Sequence, residues 1–137
     1  MSRRGTQLVA MASATLAATE TAQTGVALPP QCSGGWLEIS YARHASSTTG
    51  YPSVRVQVSA DGGTTYSDVG VLDTTTPSSP MILYPLALRF ATAAGTQRRG
   101  MPVDLGVGLT HLRVQTYDAG DATNRGTSIV LFTSGVE

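Results

Sequence analysis

The sequence predicts an all-β chain: an antiparallel β-sandwich, jelly-roll-like, built from about eight to nine short strands. Three observations carry this. Thr and Ser supply 32 of the 137 residues and Gly another 15, while charged residues make up only 13 %, a composition that favours strands and turns over helices. Apolar side chains recur with period two and almost nowhere with a helical period. Turn-forming groups divide these runs at Pro29-Pro30, Ser33-Gly34-Gly35, Ser46 to Gly50, Asp61-Gly62-Gly63, Thr74 to Pro80, Gly120-Asp121 and Asn124 to Gly126.

In chain order the candidate strands are Gln7–Ala14, Thr15–Thr21, Gly25–Leu28, Trp36–Arg43, Ser53–Ala60, Tyr66–Leu72, Met81–Phe90, Leu109–Tyr117 and Thr127–Thr133. Alternation assigns their faces. Leu37, Ile39 and Tyr41 oppose Glu38, Ser40 and Ala42; Val54, Val56 and Val58 oppose Arg55, Gln57 and Ser59; Leu112 and Val114 oppose His111, Arg113 and Gln115. The apolar member of each set is expected in the core. Ile129-Val130-Leu131-Phe132 is apolar on both faces, so the last strand is either central or covered outside by another subunit. A single domain over residues 8–137 follows from the length, with residues 1–7 as an N-terminal arm.

Charge and cysteine content exclude several classes. Nine basic residues, all Arg, balance nine acidic ones, so no global field draws in nucleic acid or an anionic membrane. No stretch approaches 18 apolar residues, and no transmembrane helix is expected. Cys32 is the sole cysteine, which rules out an intrachain disulfide and a cysteine-based zinc site. Arg3 and Arg4 followed by Leu8-Val9-Ala10-Met11-Ala12 look like the start of a secretory signal, but Ser13 and Thr15 break the apolar run and residues 8–20 read as strand.

Catalytic constellations are not evident. Neither His44 nor His111 sits in a nucleophile context such as Gly-x-Ser-x-Gly, and Glu20 and Glu38 are the only internal glutamates. Asp118, Asp121 and Asn124 offer oxygen ligands in a loop, without EF-hand spacing, and read first as a turn. No enzyme activity, cofactor or metal is expected. The sharpest local motif is Ser59-Ala60-Asp61-Gly62-Gly63-Thr64-Thr65-Tyr66, with the Asp-box pattern Ser-x-Asp-x-Gly-x-Thr-aromatic. Ser59, Asp61, Gly63, Thr65 and Tyr66 are expected to fasten a hairpin turn, with Asp61 accepting backbone amides and glycine supplying positive φ. The box occurs once, which excludes a repeating propeller.

Gly25-Val26-Ala27-Leu28-Pro29, then Gly35-Trp36-Leu37-Glu38-Ile39-Ser40, then Val54 to Ser59 running into Asp61-Gly62-Gly63-Thr64-Thr65-Tyr66, resembles small β-sandwich structural proteins of tailed bacteriophages. Among these the chain is most similar to jelly-roll capsid decoration, or cement, proteins. The likeness runs over roughly residues 20 to 135 as an order of strands, and it transfers no site residues. It implies a virion protein made in the host cytoplasm, bound to the outer capsid surface and bridging major capsid protein subunits. Alternatives are a carbohydrate-binding module or lectin, for which Trp36, Tyr51, Tyr84 and Tyr117 are the surface aromatics, and a phage tail accessory domain.

Capsid contact is expected on arginine-bearing extensions. These are the arm at Arg3 and Arg4 with Leu8 beside it, and a loop, Gly95-Thr96-Gln97-Arg98-Arg99-Gly100-Met101-Pro102, in which Arg98 and Arg99 would grip carboxylates and Met101 would fill an apolar dent. A merely solvated loop is the other reading. Open edge strands are expected to pair two copies across a two-fold axis, a dimer in preference to a trimer.

Overall fold

A computed structural model of the chain describes residues 5–44, 52–69, 72–73, 81–82, 95–106, 108–118 and 125–136. The elements are β1 (Thr6–Thr15), β2 (Thr21–Ala22), β3 (Val26–Ala27), β4 (Cys32–Arg43), β5 (Pro52–Ser59), β6 (Ser67–Asp68), β7 (Leu72–Asp73), β8 (Met81–Ile82), β9 (Gly95–Asp104), β10 (His111–Asp118) and β11 (Thr127–Val136). Two antiparallel sheets pack face to face as a β-sandwich. The first has the order β1-β11-β4-β9; the second runs β2-β10-β5-β6, with β3 also on β10, and β7 pairs with β8 separately. The chain crosses between the sheets after nearly every long strand, giving the jelly-roll-like winding expected from the pattern.

The core lies between the sheets. Leu37, Ile39 and Tyr41 of β4 and Val130 and Phe132 of β11 face Val54 and Val56 of β5 and Leu112 and Val114 of β10, all at most 2 % exposed. These are the alternating positions of the sequence. Strand β11 is central, paired on one side with β1 and on the other with β4. Ala10 and Met11 are neighbours in sequence yet both buried. A register shift between Val9 and Met11 explains this, because a bulge inserts one residue and lets two consecutive side chains turn the same way.

Three expectations need correction. Gly95 to Pro102 is not a loop: it belongs to β9, which pairs with β4 from Gly34↔Asp104 to Arg43↔Gly95. Strand Thr15–Thr21 is absent as such, since β1 ends at Thr15 and only Thr21–Ala22 pairs again, on β10 of the other sheet. Thr6 and Gln7, assigned by the sequence to an N-terminal arm, belong to β1 and pair with Ser134 and Thr133, while residues 1–4 lie outside the described residues. Of the long strand expected over Met81–Phe90, Met81–Ile82 is strand and the rest lies outside the described residues.

Candidate docking face

The outer face of the four-stranded sheet can be laid out row by row from its register. One row runs Gln7 (β1), Thr133 (β11), Trp36 (β4), Pro102 (β9); the next runs Val9, Leu131, Glu38, Gly100; a third runs Ile129, Ser40, Arg98. Val9, 51 % exposed, and Trp36, 48 % exposed, are the exposed large hydrophobic residues among those described. Ile129 and Leu131 between them are half-buried.

Trp36 has a built seat. A Cβ placed on Gly100 would run into Cζ2, Cε2 and Nε1 of the indole, so the ring lies directly over the Gly100 backbone. Gly100 is diagonal to Trp36, on the residue pair next to Trp36↔Pro102, the cross-strand position that a large aromatic reaches. Covering a strand glycine in this way compensates for its missing side chain. It also seats a large, amphipathic ring on the sheet.

The two arginines of β9 diverge. Arg98 pairs with Ser40 and lies on the outer face with Trp36, whereas Arg99 pairs with Ile39 and lies on the inner face, its Nη1 donating to the carbonyl of Arg98 at 3.1 Å. Both are exposed because β9 is the outermost described strand of its sheet. Arg98 and Arg99, expected together on a loop, thus stand on opposite faces of β9, as successive strand residues do. Leu8 also differs from expectation: it pairs with Phe132 on the inner side and packs half-buried against the core. Met101 lies opposite Leu37 in the register, and Arg3 and Arg4 lie outside the described residues.

The opposite face of the sandwich is polar and internally bonded. Arg55 Nε meets Glu20 Oε1 at 3.0 Å and its Nη1 lies 3.7 Å from Asp68 Oδ2. Asp68 Oδ1 accepts from Gln57 Nε2 at 3.0 Å, Gln57 Oε1 accepts from Arg113 Nε at 2.7 Å, and the Arg113 guanidinium stacks 3.9 Å over the Tyr66 ring. Arg55, Glu20, Asp68, Gln57, Arg113 and Tyr66 thus form one connected network on this face.

The Asp-box turn closes the β5–β6 hairpin. Asp61 Oδ1 accepts from the amides of Thr64 and Thr65 at 3.1 and 2.9 Å and from Ser59 Oγ at 2.7 Å, while Oδ2 accepts from Thr65 Oγ1 at 2.5 Å. Ser59 Oγ in turn accepts from Gly63 N at 2.9 Å. Gly63 adopts φ +88, a conformation open to glycine. Hydrogen bonds led by Thr65 hold the Asp61 carboxyl well below the usual carboxylate range.

One buried polar pair was not legible in the sequence. Tyr41 Oη, from the first sheet, donates to Asp118 Oδ2 of β10 in the second at 2.5 Å, and the Gly126 amide donates to the same oxygen at 3.3 Å. This gives Asp118 a fastening role in place of the ligand role considered for it; Asp121 and Asn124 lie outside the described residues. His111 Nδ1 is hydrogen-bonded to Thr110 Oγ1 at 3.0 Å, and His44 is exposed just after β4. Among the described residues no group of three or more His, Cys, Asp or Glu side chains could hold a metal. At one end of the sandwich a groove of about 760 Å³ lies between Leu28, Pro29 and Cys32 on one side and Leu105 and Leu109 on the other. In comparison with known proteins, no family model matches the chain and no curated protein matches it.

Proposed function

We propose that the chain is a structural protein of a virus particle, a decoration protein that seats on the outer surface of a tailed-phage capsid and bridges neighbouring major capsid subunits. The observation that carries this reading is the indole of Trp36, seated half-exposed over Gly100 on a sheet face of mixed apolar and polar residues with few charges. Trp is the residue type most often found to dominate a protein interface, typically contributing 2 kcal/mol or more, about thirty-fold in affinity. Val9, Leu131 and Ile129 extend the apolar area around it, and the only charges in the rows laid out above are Glu38 and Arg98. Such a face loses little on desolvation.

Arg98 stands at the rim of this surface and supplies a contact of about 0.2–1 kcal/mol, sensitive to salt. Arg3 and Arg4 furnish a second contact from the N-terminal segment. Many copies on one shell convert modest single-site affinity into firm attachment.

Occupancy on purified capsids tests the reading. Trp36→Ala should lower apparent affinity by about thirty-fold or more with the circular dichroism spectrum retained; undiminished decoration by Trp36→Ala would overturn it. Exposed aromatic rings also stack on sugars, so glycan-array binding lost in the same variant, without capsid binding by the parent, would redirect the assignment to a carbohydrate-binding module.

A further inference from the structure

We propose that β1 is a pairing edge for a second copy of this chain, joining two four-stranded sheets into one continuous eight-stranded sheet across a two-fold axis. The inference stands independently of capsid binding.

Strand β1 ends its sheet with nothing paired to its other side among the described residues. The amide of Thr6 donates to Ser134 Oγ and its carbonyl accepts from the same hydroxyl, both at 3.1 Å, so the backbone of Thr6 is turned toward β11. In an antiparallel ladder this orientation alternates. Leu8 therefore also turns its backbone groups inward, while the N–H and C=O of Gln7 and Val9 point outward. Register with β11 is unbroken from Thr6↔Ser134 to Val9↔Leu131 before the first bulge, so this stretch is straight enough to template another strand.

A second copy fits this edge better than an unrelated strand does. The outward-facing residues Gln7 and Val9 flank Leu8 symmetrically. An antiparallel pair centred on Leu8 sets Gln7 against Val9 of the second copy and the reverse. Each such pair exchanges two main-chain hydrogen bonds, and the two leucines meet on the axis in a close non-hydrogen-bonded pair. Leu8 is half-buried against the core and Val9 is 51 % exposed, so pairing covers apolar surface on both sides of the sheet. From Thr6 to Thr15 the strand has no charged residue and no proline. Strand β9, at the other end of the sheet order, carries Arg98, Arg99 and Pro102, the residue types that discourage strand pairing and that would set like charges near one another in a self-pair. Dimerisation through β1 also brings two Val9–Leu131 surfaces together, doubling the docking face.

Sedimentation over a wide concentration range, without any capsid, provides the test. The parent should dimerise. Gln7→Pro removes an outward amide while sparing the inward ladder, and should weaken the dimer by at least about tenfold with the circular dichroism spectrum retained. Leu8→Cys in a Cys32→Ser background should form a disulfide-linked dimer on mild oxidation, because non-hydrogen-bonded pairs place Cβ atoms within disulfide range. Trp36→Ala should leave dimerisation untouched, which separates this proposal from the docking reading. A parent that stays monomeric at every concentration, a dimer indifferent to Gln7→Pro, failure of Leu8→Cys to cross-link, or loss of the dimer in Trp36→Ala would each overturn it.

Discussion

Replacing Tyr41 by Phe isolates one oxygen at the centre of the sandwich. Tyr41 and Asp118 are each 1 % exposed and come from different sheets, so the bond between Oη and Asp118 Oδ2 at 2.5 Å fastens the two layers through the core. Phe keeps the ring and its packing, and Asp118 retains the Gly126 amide at 3.3 Å. The loss is therefore that of a hydrogen bond to a charged acceptor, about 1.5–3 kcal/mol. For a chain of this length that corresponds to a fall in Tm of roughly 5–12 °C. Burial, reinforced by the bond to Asp118, pushes the Tyr41 phenol well above its ordinary value. The folded state thus holds a proton that the unfolded chain releases near pH 10. This contribution is complete below pH 10 and is lost as pH rises beyond it. Urea denaturation followed by circular dichroism from pH 7 to pH 11 reads both effects. Equal midpoints for parent and Tyr41→Phe at neutral pH, with identical alkaline limbs, would refute the reasoning.

Three further outcomes are expected. Asp61→Asn should loosen the hairpin turn, seen as faster amide exchange at Thr64 and Thr65, whose N–H groups the carboxylate accepts. Because the Asp61 carboxyl is held low in the fold, its contribution is present above the unfolded value near pH 4 and is lost as pH falls below it, so the acid limb of stability should flatten in the variant. Gly100→Val should unseat the sole tryptophan, visible as a red shift in emission, and reduce capsid occupancy as Trp36→Ala does, with the circular dichroism spectrum retained. Arg98→Ala should weaken docking modestly and only at low salt, Arg99→Ala should have less effect because its side chain lies on the other face of β9, and Arg3→Ala with Arg4→Ala should add to Arg98→Ala.

Strands with one buried and one open face were legible in the sequence. In β4, β5 and β10 the apolar residues alternate, and those side chains fill the core. The turn at Ser59–Tyr66 was legible because the partners of the Asp61 carboxylate lie within four residues of it. Strand β9 was not, and the reason is its position. At the end of a sheet the inner face opens to solvent, so Gln97 and Arg99 occupy inward positions that a central strand would give to apolar residues. Glycine and proline at Gly95, Gly100 and Pro102 then completed the resemblance to a loop. Two long-range contacts were equally hidden. The seat of Trp36 on Gly100 depends on the β4–β9 register, and the bond between Tyr41 and Asp118 depends on how two sheets face each other. Local periodicity encodes neither.

The emission of Trp36 offers the most direct measurement of the docking face, because it is the one tryptophan in the chain and lies at the centre of the proposed contact. Titrating the protein with purified capsids should shift this emission to the blue, saturate at a fixed ratio of protein to major capsid subunit, and parallel the amount co-sedimenting with the shells. An emission maximum unchanged while the protein co-sediments would contradict the assignment of this face, and protein remaining in the supernatant at every capsid concentration would contradict the decoration role itself.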